Sequence, residues 1–455
     1  MTSRRGFAPT GIALLAAMLL PALLGAQTAA PRVRPEWREG IRANHAPLLS
    51  LDAASPAVDL AFLGRVLAGK RLVALGESGH GVSEFSRAKL RLVKFLHEAL
   101  GYDVIAFESS LYECFAADRE AALRSPEETL AASLFGVWQC REVLDLIAYI
   151  KSTKATARPL VLAGFDIQIS SARGVEGRPA AFRQAVSLLD PAYAATVERE
   201  DALFLRHCHD PAWIAARGAR FKAFYANLAW WLRSNLKALA AARRGSTGEA
   251  LALLHTARSM GAFIDELAAS GAARTNARDK GMADNVAALA DEIYPGRKII
   301  LWGHNLHFQR DAREAQGGDS LRTMGWWLSR TRPGDVYAIG LFCGRGRASW
   351  NDRTAYALSP LRDDSLEAVL MSAGRPSLFV DLAGAARNLA NGWIWTRVPA
   401  KDWGFFDVAL TPGARFDAIL FIRDVTPPAY LVPESEEDLP YGDDLTYPDG
   451  SMFSR

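Results

Sequence analysis

Along the chain, short continuous apolar runs alternate with stretches whose apolar residues recur every three or four positions. The runs are Arg71-Leu-Val-Ala-Leu-Gly76, Asp103-Val-Ile-Ala-Phe107, Leu160-Val-Leu-Ala-Gly-Phe165 and Lys298-Ile-Ile-Leu-Trp302, followed by Val336-Tyr-Ala-Ile-Gly-Leu-Phe342, Ser377-Leu-Phe-Val-Asp-Leu382 and Phe416-Asp-Ala-Ile-Leu-Phe-Ile422. Runs this short and this uniformly apolar suit strands buried on both faces. Their alternation with helical stretches predicts an α/β fold, a mostly parallel sheet covered by helices. Residues 175–290 break the pattern: they carry helical spacing and no strand-like run, which predicts an α-helical insertion or cap. One stripe there is Phe221, Phe224, Leu228, Trp231 and Leu232. Such a stripe is ordinarily core. Trp230, Trp231 and Phe224 would offer an apolar surface to a ligand only by facing the cleft.

The two ends read differently. In residues 1–26, Arg4 and Arg5 precede an apolar stretch from Ile12 to Leu24, and Leu24-Gly25-Ala26 offers small residues for cleavage. This is the pattern of a signal peptide, and Ser3-Arg4-Arg5-Gly6-Phe7 also fits a twin-arginine signal. The expected location is therefore periplasmic or secreted, by a Sec or Tat-type route. The apolar stretch is shorter than the ~20 residues of a membrane span. Residues 27–58 read as a leader and linker, 59–427 as the functional domain, and 428–455, rich in Pro, Asp, Glu and Tyr, as an extended or disordered tail.

Composition excludes little. The 455 residues are 50% hydrophobic and 23% charged with a net charge of +3, partly from Arg4 and Arg5. Nothing in that balance points to nucleic acid or, once the signal is removed, to a membrane as partner. Cys114, Cys140, Cys208 and Cys343 are too scattered for a disulfide framework or a zinc motif. Buried free thiols and pairing in an oxidising compartment both remain open.

The informative pattern is where polar residues interrupt the apolar runs. The run at 71–76 leads into Glu77-Ser78-Gly79-His80-Gly81, and that at 103–107 into Glu108-Ser109-Ser110. The run at 160–165 ends at Asp166-Ile167-Gln168, and that at 298–302 at Gly303-His304-Asn305-Leu306-His307. Ligands of open parallel sheets bind beyond the carboxyl ends of the strands. Four strands thus deliver Glu77, His80, Glu108, Asp166, His304 and His307 to one edge. Each has a plainer reading. A carboxylate after a strand commonly caps the next helix, and His304 and His307 could be helix-start residues bonding locally. Against this, glycines on both sides of His80 suit a tight turn that exposes the ring, and histidines three apart can converge on one ligand.

Other motifs fall away. Gly76-Glu-Ser-Gly-His-Gly81 lacks the Lys-Ser/Thr ending of a phosphate loop. There is no G-x-S-x-G elbow, which argues against a serine esterase. His207-Cys208-His209-Asp210 reads as a surface turn before Pro211 rather than a metal site.

Several segments together resemble the erythromycin esterase-like family. Leu75-Gly-Glu-Ser-Gly-His-Gly-Val-Ser-Glu-Phe85, with Arg87 and Lys89, is similar to the family's G-E-x-x-H-G-x-x-E-F signature. Phe107-Glu-Ser109, Gly164-Phe-Asp-Ile-Gln168 and Trp302-Gly-His-Asn-Leu-His307 match further family patches in order. Arg278-Asp279 with Met282 and Asn285, Met324-Gly325 and Phe416-Asp-Ala-Ile also correspond. The resemblance implies a three-layer α/β/α sandwich with a mostly parallel sheet and a helical insertion. It implies a carboxylic ester hydrolase, with His80 as the general base on water, Glu77 and Glu108 orienting or polarising, and His304, His307 and Lys89 completing the site. Asp166, Gln168 and Arg87 are the candidate substrate-binding residues.

The expected partner is a small-molecule ester or macrolide lactone, with no cofactor; antibiotic resistance is the associated role. An oxyanion formed in the reaction could be stabilised by protonated His304 or His307, or by Lys89. Two other readings use the same residues. Three histidines with carboxylates could hold a divalent metal that activates water. Alternatively, exposed histidines could ligate haem in a binding protein of related fold.

Overall fold

The computed structural model describes residues 32–242, 247–312 and 321–431. The expected signal peptide at 1–26 lies outside them, as does the tail from 432. Among the described residues no helix is long and apolar enough to cross a membrane.

Eleven strands form: Ala46–Pro47 (β1), Leu72–Leu75 (β2), Tyr102–Ser110 (β3), Val161–Asp166 (β4), Lys298–Trp302 (β5), Val336–Ser349 (β6), Ala355–Ala357 (β7), Ser377–Asp381 (β8), Val398–Asp402 (β9), Phe406–Leu410 (β10) and Ala418–Val425 (β11). The main sheet runs β4-β3-β5-β2-β6-β11-β8-β1. From β4 to β11 every neighbouring pair is parallel; β8 and β1 add an antiparallel edge. All seven predicted runs are strands of this sheet.

The three layers follow from the two-residue period of a strand. Val73, Leu75, Ile105, Phe107, Ile300 and Trp302 face one side, with Phe85 and Leu92 of the helix Ser83–Leu100 and Ile147 of Arg141–Thr153. Leu72, Ala74, Val104, Ala106, Ile299 and Leu301 face the other, with Met282 and Val286 of the helix Gly271–Ala288 and Leu366 and Val369 of Leu366–Met371. Both sets are buried, which is why the runs show no polar alternation.

The insertion is helical, from Ala172–Val175 to Gly271–Ala288, with a core of its own. Phe221, Leu228 and Leu232 are buried in it beside Phe204 and Phe263. Trp231 packs against Tyr193 and Phe224 against Tyr225, while Trp230 is 70% exposed. The stripe is core. Asp210 caps the helix Pro211–Ser234 through its carboxylate, and His207 stacks on Trp213, so the His207–Asp210 segment is a helix junction. The four cysteines are buried free thiols.

The segment expected as leader and linker is folded from residue 32 onward. Its helix Pro35–Ala43 buries Trp37 and Ile41 against the sheet, and β1 pairs with β8. An isolated helix this short is marginal in water; what holds it is the buried apolar face. The first residues of the expected tail are ordered too: Leu431 donates to the Gln139 carbonyl and Arg141 to that of Ala429.

Within the insertion, Arg178 and Asp201 form a fully buried two-pronged ion pair, and Tyr225 donates to the same carboxylate. Asp201→Ala leaves a buried cation unpaired and should cost about 3–5 kcal/mol in urea unfolding. Adding Arg178→Met should restore most of that loss, because the cost lies in the unpaired charge rather than in lost attraction.

Candidate active site

The four strand ends meet as expected. Glu77 and His80 follow β2, Glu108 closes the regular part of β3, Asp166 ends β4, and His304 and His307 follow β5. Sheet order places β2, β5, β3 and β4 side by side, so residues far apart in sequence become neighbours.

Glu77 is the first hub. Its Oε1 lies 2.6 Å from His80 Nδ1 and accepts from Trp138 Nε1 at 3.1 Å. Its Oε2 accepts from Lys89 Nζ at 2.6 Å. The helix Ser83–Leu100 carries Lys89 on its inner face, over the Trp302 ring and fully buried. Burial pushes the Lys89 ammonium below its ordinary value, an effect that Glu77 and Glu108 offset only in part. Arg87, two residues earlier, lies on the exposed face of that helix and does not join the site.

Glu108 is the second hub. Its Oε2 accepts from the His304 backbone N–H at 2.7 Å, and its Oε1 lies 3.0 Å from Arg278 and 3.1 Å from His307 Nε2. A side chain at Gly303 would strike this carboxylate, so glycine there is a packing requirement. Burial raises the Glu108 carboxyl, but His307 and Arg278 hold it well below the usual range.

The two histidines after β5 do not converge on one ligand. His307 sits between Glu108 and Asp279, whose oxygens lie 3.0 and 3.1 Å from its Nδ1. Against the effect of burial, these carboxylates raise it to about 10. At that value it is an imidazolium, its Nδ1 on Asp279 and its Nε2 ion-paired with Glu108. His304 caps the short helix Asn305–Phe308, its Nδ1 accepting from Leu306 N–H. Burial, together with His80 and His307, holds it well below its ordinary value. It is therefore neutral, which corrects the expectation of a protonated His304. With Nδ1 an acceptor, the proton sits on Nε2, a buried atom that makes no hydrogen bond of good geometry, with the Ser78 carbonyl beside it.

Asp166 and Gln168 form a supporting shell. Asp166 pairs with Arg278 at 2.5 Å and accepts from Gln168 N–H; the Gln168 amide donates to Glu266. Both are engaged within the protein rather than presented to a cleft. Burial raises Glu266 to about 7.

Residues outside the predicted set complete the site. Trp138 and Trp403 stand edge-on to the His80 ring at 5.2 and 5.5 Å, and Trp403 stacks on His304 at 5.6 Å. His80 is only 5% exposed, not displayed on an open turn. The glycine before it allows close packing instead, since a side chain at Gly79 would meet the Trp403 ring at 3.1 Å. Trp403 has φ +55°, a left-handed backbone that costs a non-glycine residue about 1–2 kcal/mol. It occupies the β9–β10 turn Asp402-Trp403-Gly404-Phe405, and an X-Gly pair between two strand-like segments was the sequence signal available for it. Trp138 carried no such signal. Arg278 and Asp279 stood in a segment of family resemblance, without an assigned role.

Among the described residues no three His, Cys, Asp or Glu side chains are arranged to hold a metal ion.

The fold and this site together define an α/β protein of three layers with a buried histidine–carboxylate centre at the carboxyl edge of a parallel sheet. The chain belongs to the erythromycin esterase family, whose model matches residues 97–425; Glu77, His80 and Lys89 precede the matched segment. A putative hydrolase of Bacillus subtilis, YbfO, is 28% identical over 86% of this chain and 91% of its own. An erythromycin esterase type I of Escherichia coli is 25% identical over 59% of this chain and 69% of its own. Among solved structures, a succinoglycan biosynthesis protein aligns at a TM-score of 0.72 with 18% identity, covering 86% of this chain and 97% of that one. A mutant of the erythromycin esterase EreC in its open conformation aligns at 0.61 with 18% identity, covering 85% and 98%. The structural likenesses establish the fold, and the family supports a hydrolase.

His307 titrates higher in the folded protein than its ordinary 6.5. Its contribution to stability is complete below pH about 6.5 and is lost as pH rises towards 10. The melting-temperature difference between wild type and His307→Gln should therefore be largest near pH 6 and shrink by pH 10. A difference constant across that range would contradict the imidazolium assignment.

Proposed function

We propose that the protein is an exported hydrolase of a carboxylic ester or macrolide lactone, working by general-base catalysis on water without a metal. The observation that carries this reading is the Glu77–His80 pair. Glu77 takes the Nδ1–H of His80 at 2.6 Å, which leaves the Nε2 lone pair as the base, and Lys89 fixes the other carboxylate oxygen. Such a pair sets the tautomer and stabilises the imidazolium formed in the reaction.

In the proposed sequence, His80 Nε2 takes a proton from water as the water oxygen bonds to the carbonyl carbon. The carbonyl electron pair moves onto oxygen. The neutral His304 donates its Nε2–H to that oxyanion. A neutral donor suits this role because it polarises without surrendering a proton to the base. The tetrahedral centre then collapses, the carbon–oxygen bond breaks, and the proton on His80 passes to the departing alkoxide. The products are an acid and an alcohol, or a hydroxy acid from a lactone. His307 and Arg278 act behind the site, holding Glu108, which in turn holds the His304 backbone.

Charge balance supports the same assignment. Glu77, Glu108, Asp166 and Asp279 are matched by Lys89, Arg278 and His307. With the carboxylates ionised, the buried set carries one more anion than cation. A proton arriving on His80 neutralises it, and in a low-dielectric interior such compensation is strong.

The test is mass spectrometry of a panel of macrolides and simple esters after incubation with the protein. A substrate should gain ~18 Da, one water, and His80→Ala should lower its turnover by about 10²–10⁴-fold. His304→Phe, which removes the donor, should lower kcat by about 10²–10³-fold with little change in KM. Full activity of His80→Ala would end the reading.

A further inference from the structure

We infer that Trp403 is a positioning residue for the His304 donor and the His80 turn, held at the tip of the β9–β10 hairpin for that purpose. The inference rests on the hydrolase reading for the role of His304, and on geometry for the rest. The backbone of Trp403 is fastened at both ends. Its N–H donates to the Ser78 carbonyl at 2.7 Å, and its carbonyl accepts from the Tyr356 hydroxyl at 2.6 Å. Phe405 N–H closes the turn onto the Asp402 carbonyl at 3.0 Å. With those anchors set, the ring lies across His304 at an interplanar angle of 28° and edge-on to His80 at 83°. It also rests on Gly79.

A left-handed residue in a tight hairpin connection is ordinarily Asn, Asp or Gly. A tryptophan there is explained by what its ring does rather than by the turn. Strained backbone of this kind concentrates at sites where position matters more than local comfort. The neighbouring contacts agree. Trp350 packs against Trp403 at 5.8 Å, with Tyr356 stacked on Trp350 at 3.8 Å. Its ring covers the His304 imidazole, while the titratable groups beside that imidazole are His80, Glu108 and His307. Asp402, the residue before Trp403 on the hairpin, faces His80.

The experiment compares wild type, Trp403→Phe, Trp403→Leu and Trp403→Ala, each checked for an unchanged melting profile. The protein carries ¹⁵N-labelled histidine, with His304 assigned by a His304→Gln variant. In wild type the His304 ring should remain the neutral Nε2–H tautomer at pH 6.5, where an ordinary imidazole is half protonated. Trp403→Ala admits water to the ring. Its titration should then move towards the ordinary ~6.5, and kcat on the ester identified by the panel should fall about 10²-fold while KM changes little. Trp403→Phe, which keeps an aromatic face, should restore most of both. Trp403→Leu, which keeps apolar cover without a ring, carries the comparison if the alanine variant does not fold. A folded Trp403→Ala or Trp403→Leu protein whose His304 tautomer, titration and kcat match wild type would overturn the inference. If wild type itself hydrolyses nothing, the hydrolase reading fails, while the ring titration still decides whether Trp403 sets His304.

Discussion

Everything at the carboxyl edge of the sheet depends on one constraint: buried carboxylates must be paired. Glu77, Glu108, Asp166 and Asp279 are each at most 2% exposed. An isolated charge in such a place is prohibitively costly. The cations that answer them come from different elements. Lys89 comes from the first helix after β2, His307 from the short helix after β5, and Arg278 from the helix that closes the insertion. The insertion is thus tied to the sheet electrostatically as well as by packing, because its last long helix brings Arg278 to Glu108 and Asp166 and Asp279 to His307.

That pairing also divides the histidines into distinct roles. Three imidazoles lie close together, yet each has a different environment. His307, between two carboxylates, is held charged and spent on structure. His304, capping a helix with its Nδ1 and hemmed in by two other imidazoles, is held neutral, with its proton on Nε2. His80 is fastened by Glu77 on Nδ1, which leaves Nε2 as the nitrogen the proposed reaction uses. Identical side chains are separated in function by what their first nitrogen touches, which spacing along the chain does not reveal. The spacing of His304 and His307 suggested convergence on one ligand; the N-cap geometry turns them apart instead.

The sheet and its polar edge were legible because both depend on local rules. A strand buried on both faces must be apolar throughout, and a residue following its carboxyl end must lie at the crevice. Hence the seven runs, and Glu77, His80, Glu108, Asp166, His304 and His307, could be placed from sequence. What escaped was delivered by tertiary contact. Trp138 reaches Glu77 from a 3₁₀ turn with no chemical signature, and Trp403 comes from a hairpin outside the main sheet. Arg87 went the other way: it shares a motif with Lys89, but two residues apart on a helix means nearly opposite faces, and only Lys89 points inward. The helix Pro35–Ala43 was missed because a short, polar-rich segment shows its buried face only once Trp37 has somewhere to go.

The aromatic wall adds a physical reason for the depth of the site. Trp138 and Trp403 pack on His80, Trp403 also stacks on His304, and Trp350 and Phe406 extend the aromatic cluster behind Trp403. It lowers the local dielectric, which strengthens the Glu77–His80 and Glu108–His307 attractions that organise the centre. The same boundary keeps the His304 imidazole neutral by denying its charged form hydration. Burial acts in the same direction on both histidines, against the charged form: Asp279 and Glu108 outweigh it at His307, while Glu108 alone does not at His304, where His80 and His307 add to it. A single apolar enclosure, acting on imidazoles with different partners, is enough to hold one neutral and another as a fixed cation within one small volume.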